Sequence, residues 1–136
     1  MNPGETRRPV VLVIEDDRAA RQLYVQMLQD SGCEVVEAHN GLQAVEKAGD
    51  LLPDAIVTDL GLPGIDGYEV CRRLQADERT RLIPLVAVTG RYFSAADVAR
   101  ARKQGCAAVL IKPFVAEDLV AAVQALLEPR AGSPSA

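Results

Sequence analysis

The sequence predicts an α/β fold in which helices cover both faces of a parallel sheet. Short aliphatic runs alternate five times with segments whose apolar residues recur at helical spacing. Aromatic residues make up only 4% of the chain and tryptophan is absent, so the core must be built from Val, Leu, Ile and Ala. Such a core suits strands that are buried on both faces. Because strand and helix alternate, we expect parallel strands joined by right-handed crossovers.

The first half of the chain supplies three strands and two helices. The strands are predicted at 10–14, 34–38 and 55–58. The second helix covers 41–50, with Leu42 and Val45 expected to face inward. The first helix begins near residue 17 and can end at Gly32. Its apolar residues at helical spacing are Ala20, Leu23, Tyr24, Met27 and Leu28.

The second half repeats the alternation after a loop rich in turn residues at 61–67. Ser94 can cap the fourth helix, and Lys112-Pro113 breaks the fifth strand. The strands are predicted at 85–88 and 107–111, and the helices at 68–76, at 95–104 and around Leu119, Ala122, Val123 and Leu126.

The length of 136 residues fits one domain, which we place at 9–128. Residues 1–8 are polar, and residues 129–136 are rich in Pro, Gly, Ser and Ala. Both ends are therefore predicted to be disordered. We find no signal peptide and no apolar run of membrane-spanning length, so we expect a cytoplasmic protein without membrane insertion.

The charge balance argues against a general attraction to nucleic acid, because the net charge is −4 and binding phosphates requires a basic face. Basic residues between Arg72 and Lys103 are interpreted as solvated helix faces. The cysteines Cys33, Cys71 and Cys106 are odd in number and far apart in sequence. We interpret them as small buried apolar residues in a reducing compartment.

Polar residues follow four of the predicted strands, at the point where each strand ends. They are Glu15, Asp16 and Asp17 after strand one, Asp59 after strand three, Thr89 after strand four and Lys112 after strand five. The carboxyl ends of parallel strands open onto one edge of a sheet, which is where such folds place their sites. For any one of these residues taken alone, a role as a cap or turn residue is the favoured interpretation. Four strand ends and a lysine together favour a shared site.

Several carboxylates in one cleft repel each other, and a cation relieves that repulsion. Oxygen ligands without nearby His or Cys suit a hard ion such as Mg²⁺. A lysine adds positive charge, and a threonine hydroxyl can donate to a phosphoryl oxygen. The residues therefore indicate a site at which a carboxylate accepts a phosphoryl group.

Four segments in this order resemble the signatures of bacterial response-regulator receiver domains: 11–17, 59–67, 88–90 and 110–114. The resemblance covers about 9–127. It implies a flavodoxin-like (βα)5 fold, doubly wound, with a five-stranded parallel sheet in the order 2-1-3-4-5. It also implies a cis peptide bond between Lys112 and Pro113, which base rates alone would make trans.

The resemblance assigns a role to each strand-end residue. Asp59 would be the phosphoacceptor, with Thr89 binding a phosphoryl oxygen and Lys112 pairing first with Asp59 and then with the phosphoryl group. Mg²⁺, or Mn²⁺ in its place, would be held by Glu15, Asp16, Asp59 and the backbone carbonyl of Gly61. Asp16 would be a direct ligand, and Glu15 would act partly through water.

Other polar residues receive structural roles. Asp17 is expected to begin the first helix, Asp66 to serve the turn, and His39 to lie on the surface. One position departs from the family: Val109 stands where receivers often carry an aromatic residue that switches between exposed and buried states. Tyr92 and Phe93 could replace it, and a packing role for the two residues is the alternative.

The resemblance predicts a phosphorelay domain that is not an enzyme beyond its own phosphorylation and slow autodephosphorylation. Its donor would be a histidine kinase or a histidine phosphotransfer protein. A downstream protein would bind the face formed by helix four, strand five and helix five, and the chain would be a monomer or a weak dimer. Two alternatives remain open: a Mg²⁺-dependent phosphohydrolase with an aspartyl nucleophile, and an interaction domain that does not depend on phosphorylation. Gly61 occupies the position where such hydrolases usually carry a second acid, which counts against the first alternative.

Overall fold

The computed structural model describes residues 7–90 and 94–127. Strands and helices alternate along the chain. They are β1 (Val10–Ile14), α1 (Arg18–Asp30), β2 (Glu34–Ala38), α2 (Gly41–Leu51), β3 (Ala55–Asp59), α3 (Gly67–Ala76), β4 (Leu85–Thr89), α4 (Ala95–Lys103), β5 (Ala108–Ile111) and α5 (Ala116–Leu127).

All neighbouring strands pair in parallel, in the order β2-β1-β3-β4-β5. The predicted doubly wound fold is therefore confirmed. The strand order reverses direction between β1 and β3, because the chain leaves β1 toward one side of the sheet and returns on the other. This switch point leaves a crevice at the carboxyl ends of the two strands.

The strands divide the core into two layers because successive side chains point to opposite faces of the sheet. Leu12 and Ile56 lie in the first core layer, which packs against α2, α3 and α4. Val13 and Val57 lie in the layer that packs against α1 and α5. Both layers are built largely from aliphatic residues, as the composition predicts.

The helices begin where the sequence provides side-chain caps. Asp17 caps α1 by accepting a hydrogen bond from the backbone N–H of Ala20 at 2.8 Å. Ser94 caps α4 in a reciprocal arrangement with Asp97. Both predictions are confirmed. Gly32 follows the end of α1 with φ +101°, a left-handed conformation that glycine adopts without strain.

The prediction that Leu42 faces inward is wrong. Leu42 is 61% exposed, and the inward residues of α2 are Gly41, Ala44 and Ala48. The reason is close packing at the start of the helix, where a Cβ on Gly41 would lie 2.4 Å from Cγ1 of Ile65. Small residues therefore face the core, and Leu42 is rotated out.

In α1, Leu23 is 54% exposed, and Val25 is buried in its place beside Tyr24 and Leu28. By contrast, Val45 is partly buried and packs against the first core layer, in line with its predicted inward orientation.

The two predicted disordered ends lie mostly within 1–6 and 128–136, which are outside the described residues. Tyr92 and Phe93 are also outside the described residues. Among the described helices, none combines the length and apolar character needed to cross a bilayer.

Substitution of Gly67 tests how tightly α3 packs against the end of β3. A Cβ on Gly67 would lie 2.4 Å from the backbone oxygen of Asp59, and that atom cannot move aside cheaply. We expect Gly67→Ala to lower the free energy of unfolding by about 1–3 kcal/mol in urea denaturation. The control is Gly90→Ala, which meets nothing within 4 Å and should stay within about 0.5 kcal/mol. Equal effects of the two substitutions would contradict this packing.

Candidate functional site

The strand-end residues meet at one edge of the sheet, as predicted. Asp59 is the last residue of β3 and pairs in register with Val88 of β4. Thr89, the last residue of β4, pairs with Ile111 of β5, which places Lys112 just beyond the same edge. Glu15 follows β1 directly, on the other side of β3.

The three predicted carboxylate ligands are close together. Each of Glu15, Asp16 and Asp59 offers an oxygen, and these oxygens all lie within 4.8 Å of one another. Their exposure differs, since Glu15 is buried, Asp59 is half-buried and Asp16 is exposed. In its exposure to solvent, Asp59 is therefore intermediate between Glu15, the inner acid, and Asp16, the outer acid.

Lys112 bridges the carboxylates of Glu15 and Asp59. Its Nζ donates to Oδ2 of Asp59 at 2.9 Å and to Oε1 of Glu15 at 3.1 Å. Its backbone N–H donates to the carbonyl of Thr89 at 2.8 Å, which fixes the start of the loop after β5. The predicted cis peptide bond between Lys112 and Pro113 is present. Burial lowers the pKa of Lys112, but hydrogen bonds and charge from Asp59 and Glu15 outweigh it and raise that pKa overall.

Burial and the neighbouring Asp59 carboxylate raise the pKa of Glu15 to about 7. Two backbone contacts fix its position: Oε2 accepts from the N–H of Asp17 at 3.2 Å, and the Glu15 carbonyl accepts from Arg21 at 2.8 Å. With that pKa the acid keeps its proton below about pH 7, and further positive charge in the site would favour its ionised form.

The second oxygen of Asp59 is held by the loop that follows it. Oδ1 accepts a hydrogen bond from the backbone N–H of Gly61 at 2.7 Å. The loop is tied to the sheet by a bond from the N–H of Leu60 to the carbonyl of Val88 at 2.9 Å. The two carboxylate oxygens of Asp59 thus have different partners, Lys112 on one and Gly61 on the other.

The donor set fits Mg²⁺. Three carboxylates converge, and all three offer oxygen ligands, which hard divalent cations prefer. Burial, with the neighbouring Asp59 carboxylate, raises the pKa of Glu15, so further positive charge at this edge would favour its ionised form. A divalent cation would offset that charge.

Two aromatic residues beside the site were missed as site residues by the sequence analysis. The rings of Tyr24 and Phe114 stack with centroids 5.6 Å apart. Burial is the main cause that raises the pKa of Tyr24; Lys112 acts to lower it, and Glu15 and Asp59 to raise it. The tyrosine hydroxyl therefore lies within reach of the charged cluster. The only sequence signal was a hydroxyl-bearing residue among the apolar positions of α1.

The remaining polar residues do not join the site. Asp17 caps α1, and Asp66, predicted as a turn residue, caps α3 by accepting from the N–H of Glu69 at 2.9 Å. His39 is exposed after β2, as predicted. Val109 pairs with Ala87 in the sheet and packs against the first core layer.

Replacement of the buried acid tests the origin of its raised pKa. In metal-free protein, a folded-state pKa of about 7 against 4.5 means that the folded state holds a proton which the unfolded state has lost. Stability should therefore fall as the pH rises from about 4.5 through 7. We expect Glu15→Gln to stabilise the protein at about pH 8, on the order of 3 kcal/mol or less, and to give no gain near pH 4.5.

The measurement is urea denaturation in EDTA at both pH values. Asp17→Asn is the control, because asparagine keeps a capping oxygen and Asp17 lies outside the carboxylate cluster. A stability difference between Glu15→Gln and wild type that is the same at both pH values would contradict the assignment.

Comparison with known proteins gives concordant results. Residues 11–124 match the sequence model of the response regulator receiver domain. The chain is 32% identical over 117 residues to the polar-differentiation response regulator DivK of Brucella anthropi, covering 86% of this chain and 94% of DivK. It is 39% identical over 119 residues to the DNA-binding dual master transcriptional regulator RpaA of Synechocystis, covering 88% of this chain. The chain spans about half the length of RpaA, 49%.

A solved structure shows the same fold with a metal ion. It is the receiver domain of a sensor histidine kinase from Pseudomonas aeruginosa, with a magnesium ion coordinated in its active site cleft. The TM-score is 0.81 at 30% identity, covering 88% of this chain and 98% of that one.

Proposed function

We propose a function from one premise: this chain belongs to the response regulator receiver family, and it therefore acts in phosphorylation-dependent signalling. Within that role, we propose that Asp59 is the residue that accepts the phosphoryl group. The observation that carries the proposal is the pair of contacts that Asp59 makes. Lys112 holds one carboxylate oxygen and the N–H of Gly61 holds the other, at an edge shared with Glu15 and Asp16.

Those contacts suit Asp59 to nucleophilic attack. The ionised carboxylate is the form that attacks, and Lys112 places a positive charge against one of its oxygens. An oxygen of Asp59 forms a bond to phosphorus while the bond from phosphorus to the donor's imidazole nitrogen breaks, and the electron pair stays on that nitrogen. The donor would be a histidine kinase or a histidine phosphotransfer protein. Hydrogen bonds on both sides of the carboxylate fix its direction, which is the main contribution a protein makes to phosphoryl transfer.

Glu15, Asp16, Asp59 and the backbone carbonyl of Gly61 would hold Mg²⁺, or Mn²⁺ in its place. The ion supplies positive charge that offsets the carboxylates and the incoming phosphoryl oxygens. Glu15 must give up its proton for this, and Lys112 already stabilises the ionised form. Asp16 is the most solvent-exposed of the three carboxylates.

Thr89 and Lys112 would report the phosphoryl group to the rest of the domain. The Thr89 hydroxyl would bind a phosphoryl oxygen, and Lys112 would move its contact from Asp59 to the phosphoryl group. The hydrogen bond between the Lys112 N–H and the Thr89 carbonyl links the two responses. Val109 has no ring to follow the movement of Thr89, so we propose that the rearrangement centres on 90–94 and the start of α4. The segment 91–93 lies outside the described residues.

The face formed by α4, β5 and α5 would bind the downstream protein. We propose a cytoplasmic monomer or weak dimer of one receiver domain at 9–128, without direct nucleic-acid binding. Turnover would be limited to self-phosphorylation and slow autodephosphorylation. A phosphohydrolase is disfavoured because Gly61 offers a backbone amide where that class carries a second acid. An interaction domain independent of phosphorylation is disfavoured because Glu15, Asp16, Thr89 and Lys112 are all retained at the site.

The phosphoacceptor assignment can be tested with a small-molecule donor. The protein is incubated with Mg²⁺ and acetyl phosphate, and its mass is measured intact and after digestion. We expect a phosphoryl-sized increase that maps to Asp59 and is absent in Asp59→Asn. A phosphoryl group on another residue, or the same increase in Asp59→Asn, would contradict the proposal.

The metal requirement can be tested with two neighbouring acids of equal charge. We expect Asp16→Asn to weaken Mg²⁺ binding at least about tenfold, equivalent to about 1.4 kcal/mol, and to abolish phosphorylation. The matched control is Asp17→Asn, which removes one negative charge at the adjacent position while keeping the cap of α1. Calorimetry measures the binding. Equal losses in the two variants would mean that general charge, rather than ligation, controls the site.

Removal of the lysine separates phosphorylation from its consequences. We expect Lys112→Ala to retain some phosphorylation, because Asp59 and the acids remain, but to lose the response of β5 and α5. The check is to compare NMR shifts with and without beryllofluoride, a phosphoryl mimic. Identical shift changes in Lys112→Ala and wild type would rule out the reporting role.

A further inference from the structure

Two of the three cysteines meet in the core, although they are far apart in sequence. Sγ of Cys71 lies 3.2 Å from Sγ of Cys106, and both side chains are buried. The third, Cys33, packs in the other core layer, across the sheet from this pair. The interpretation of the cysteines as small buried apolar residues therefore leaves this contact unexplained.

The backbone brings the two sulfurs together through a tight turn after α4. Gly105 adopts φ +105°, and a Cβ on it would lie 2.7 Å from Nε2 of Gln75 on α3. Cys106 is then anchored by a hydrogen bond from its N–H to the carbonyl of Ala101 at 3.0 Å. Cys71 faces the core from the middle of α3 and is fully buried. The turn at Gly105 and helix α3 therefore fix the positions of Cys106 and Cys71.

The two thiols differ in acidity. The contact with Cys71, together with the nearby charge of Arg102, lowers the pKa of Cys106. The same contact and burial raise the pKa of Cys71. Either thiol can donate to the other sulfur and stabilise a thiolate there, and the nearby charge of Arg102 favours Cys106 as that thiolate. Two cysteine sulfurs in contact are the arrangement in which one cysteine is oxidised and its neighbour resolves the product.

We propose that Cys71 and Cys106 form a reversible intramolecular disulfide when a hydroperoxide oxidises the protein. The Cys106 thiolate attacks one oxygen of hydrogen peroxide, which breaks the O–O bond and gives a sulfenic acid and hydroxide. The Cys71 sulfur then attacks the Cys106 sulfur, water leaves, and the S–S bond forms. The sulfurs need to approach by about 1.2 Å to reach bonding distance. A dithiol reductant reverses the reaction.

The cross-link would join α3 to the junction between α4 and β5. α3 follows the loop after Asp59, and β5 leads directly into Lys112. A covalent tie between these elements would restrict movement of α4 and β5 relative to α3. Oxidation would therefore stiffen α4 and β5, which form part of the proposed output face, and β5 leads into Lys112 of the acidic site.

Peptide mapping tests the proposal in the full chain. The reduced protein is treated with a small excess of hydrogen peroxide, its free thiols are blocked under denaturing conditions, and it is digested with trypsin. The three cysteines fall in the separate tryptic peptides 22–47, 48–72 and 104–130. We expect 48–72 linked to 104–130, with 22–47 carrying a blocked free thiol, and release of the linked pair by dithiothreitol.

Cys33→Ala is the matched control, because it removes one buried cysteine without touching the pair and should give the same linked peptides. Cys106→Ser should give no intramolecular link, with folding confirmed by circular dichroism. Oxidised wild type should unfold several degrees higher than reduced protein and exchange its amide hydrogens more slowly at 95–111. A link that involves 22–47, a link between molecules, or oxidation without any link would overturn the proposal. None of these outcomes depends on phosphorylation of Asp59.

Discussion

Repulsion between carboxylates at one sheet edge is the constraint on which the rest of the site depends. Glu15, Asp16 and Asp59 converge from two strands, and Glu15 is 1% exposed. Such a group of like charges, with one member buried, is unfavourable unless positive charge or hydrogen-bond donors balance it. Lys112 provides the charge by bridging Glu15 and Asp59, and backbone N–H groups provide further donors. The parallel sheet makes this balance achievable, because it delivers β1, β3 and the loop after β5 to the same edge.

The site could be predicted from the sequence to the extent that strand ends could be located. Glu15, Asp59, Thr89 and Lys112 each follow an aliphatic run, and a parallel sheet necessarily gathers such positions. The same reasoning placed Asp17 and Ser94 at helix starts, since capping is a local interaction between residues close in sequence. The strand order came from the family resemblance, because apolar periodicity specifies strands but not their neighbours.

The features that escaped prediction all depend on contacts between segments distant in sequence. Leu42 belongs to the apolar pattern of α2, but the approach of Ile65 to Gly41 rotates that side chain to the surface. The contact between Cys71 and Cys106 requires the turn at Gly105 to pack against α3. The family resemblance implies the contact between Asp59 and Lys112, but nothing in the sequence predicts the hydrogen bond that Lys112 also donates to Glu15. A single sequence indicates the chemistry of its residues and the periodicity of its apolar positions. It indicates packing only where packing follows from these two.

The stacked pair of Tyr24 and Phe114 gives the domain a built-in optical probe. The chain contains no tryptophan and three tyrosines, so its near-ultraviolet absorption and emission come largely from tyrosine. The ring of Tyr24 lies against Phe114, and its hydroxyl is in the electric field of Lys112, Glu15 and Asp59. Any change in the charge of that cluster must alter the surroundings of this phenol. We therefore expect the state of the acidic edge to be readable in the protein's own tyrosine spectrum, without an attached dye or an engineered tryptophan.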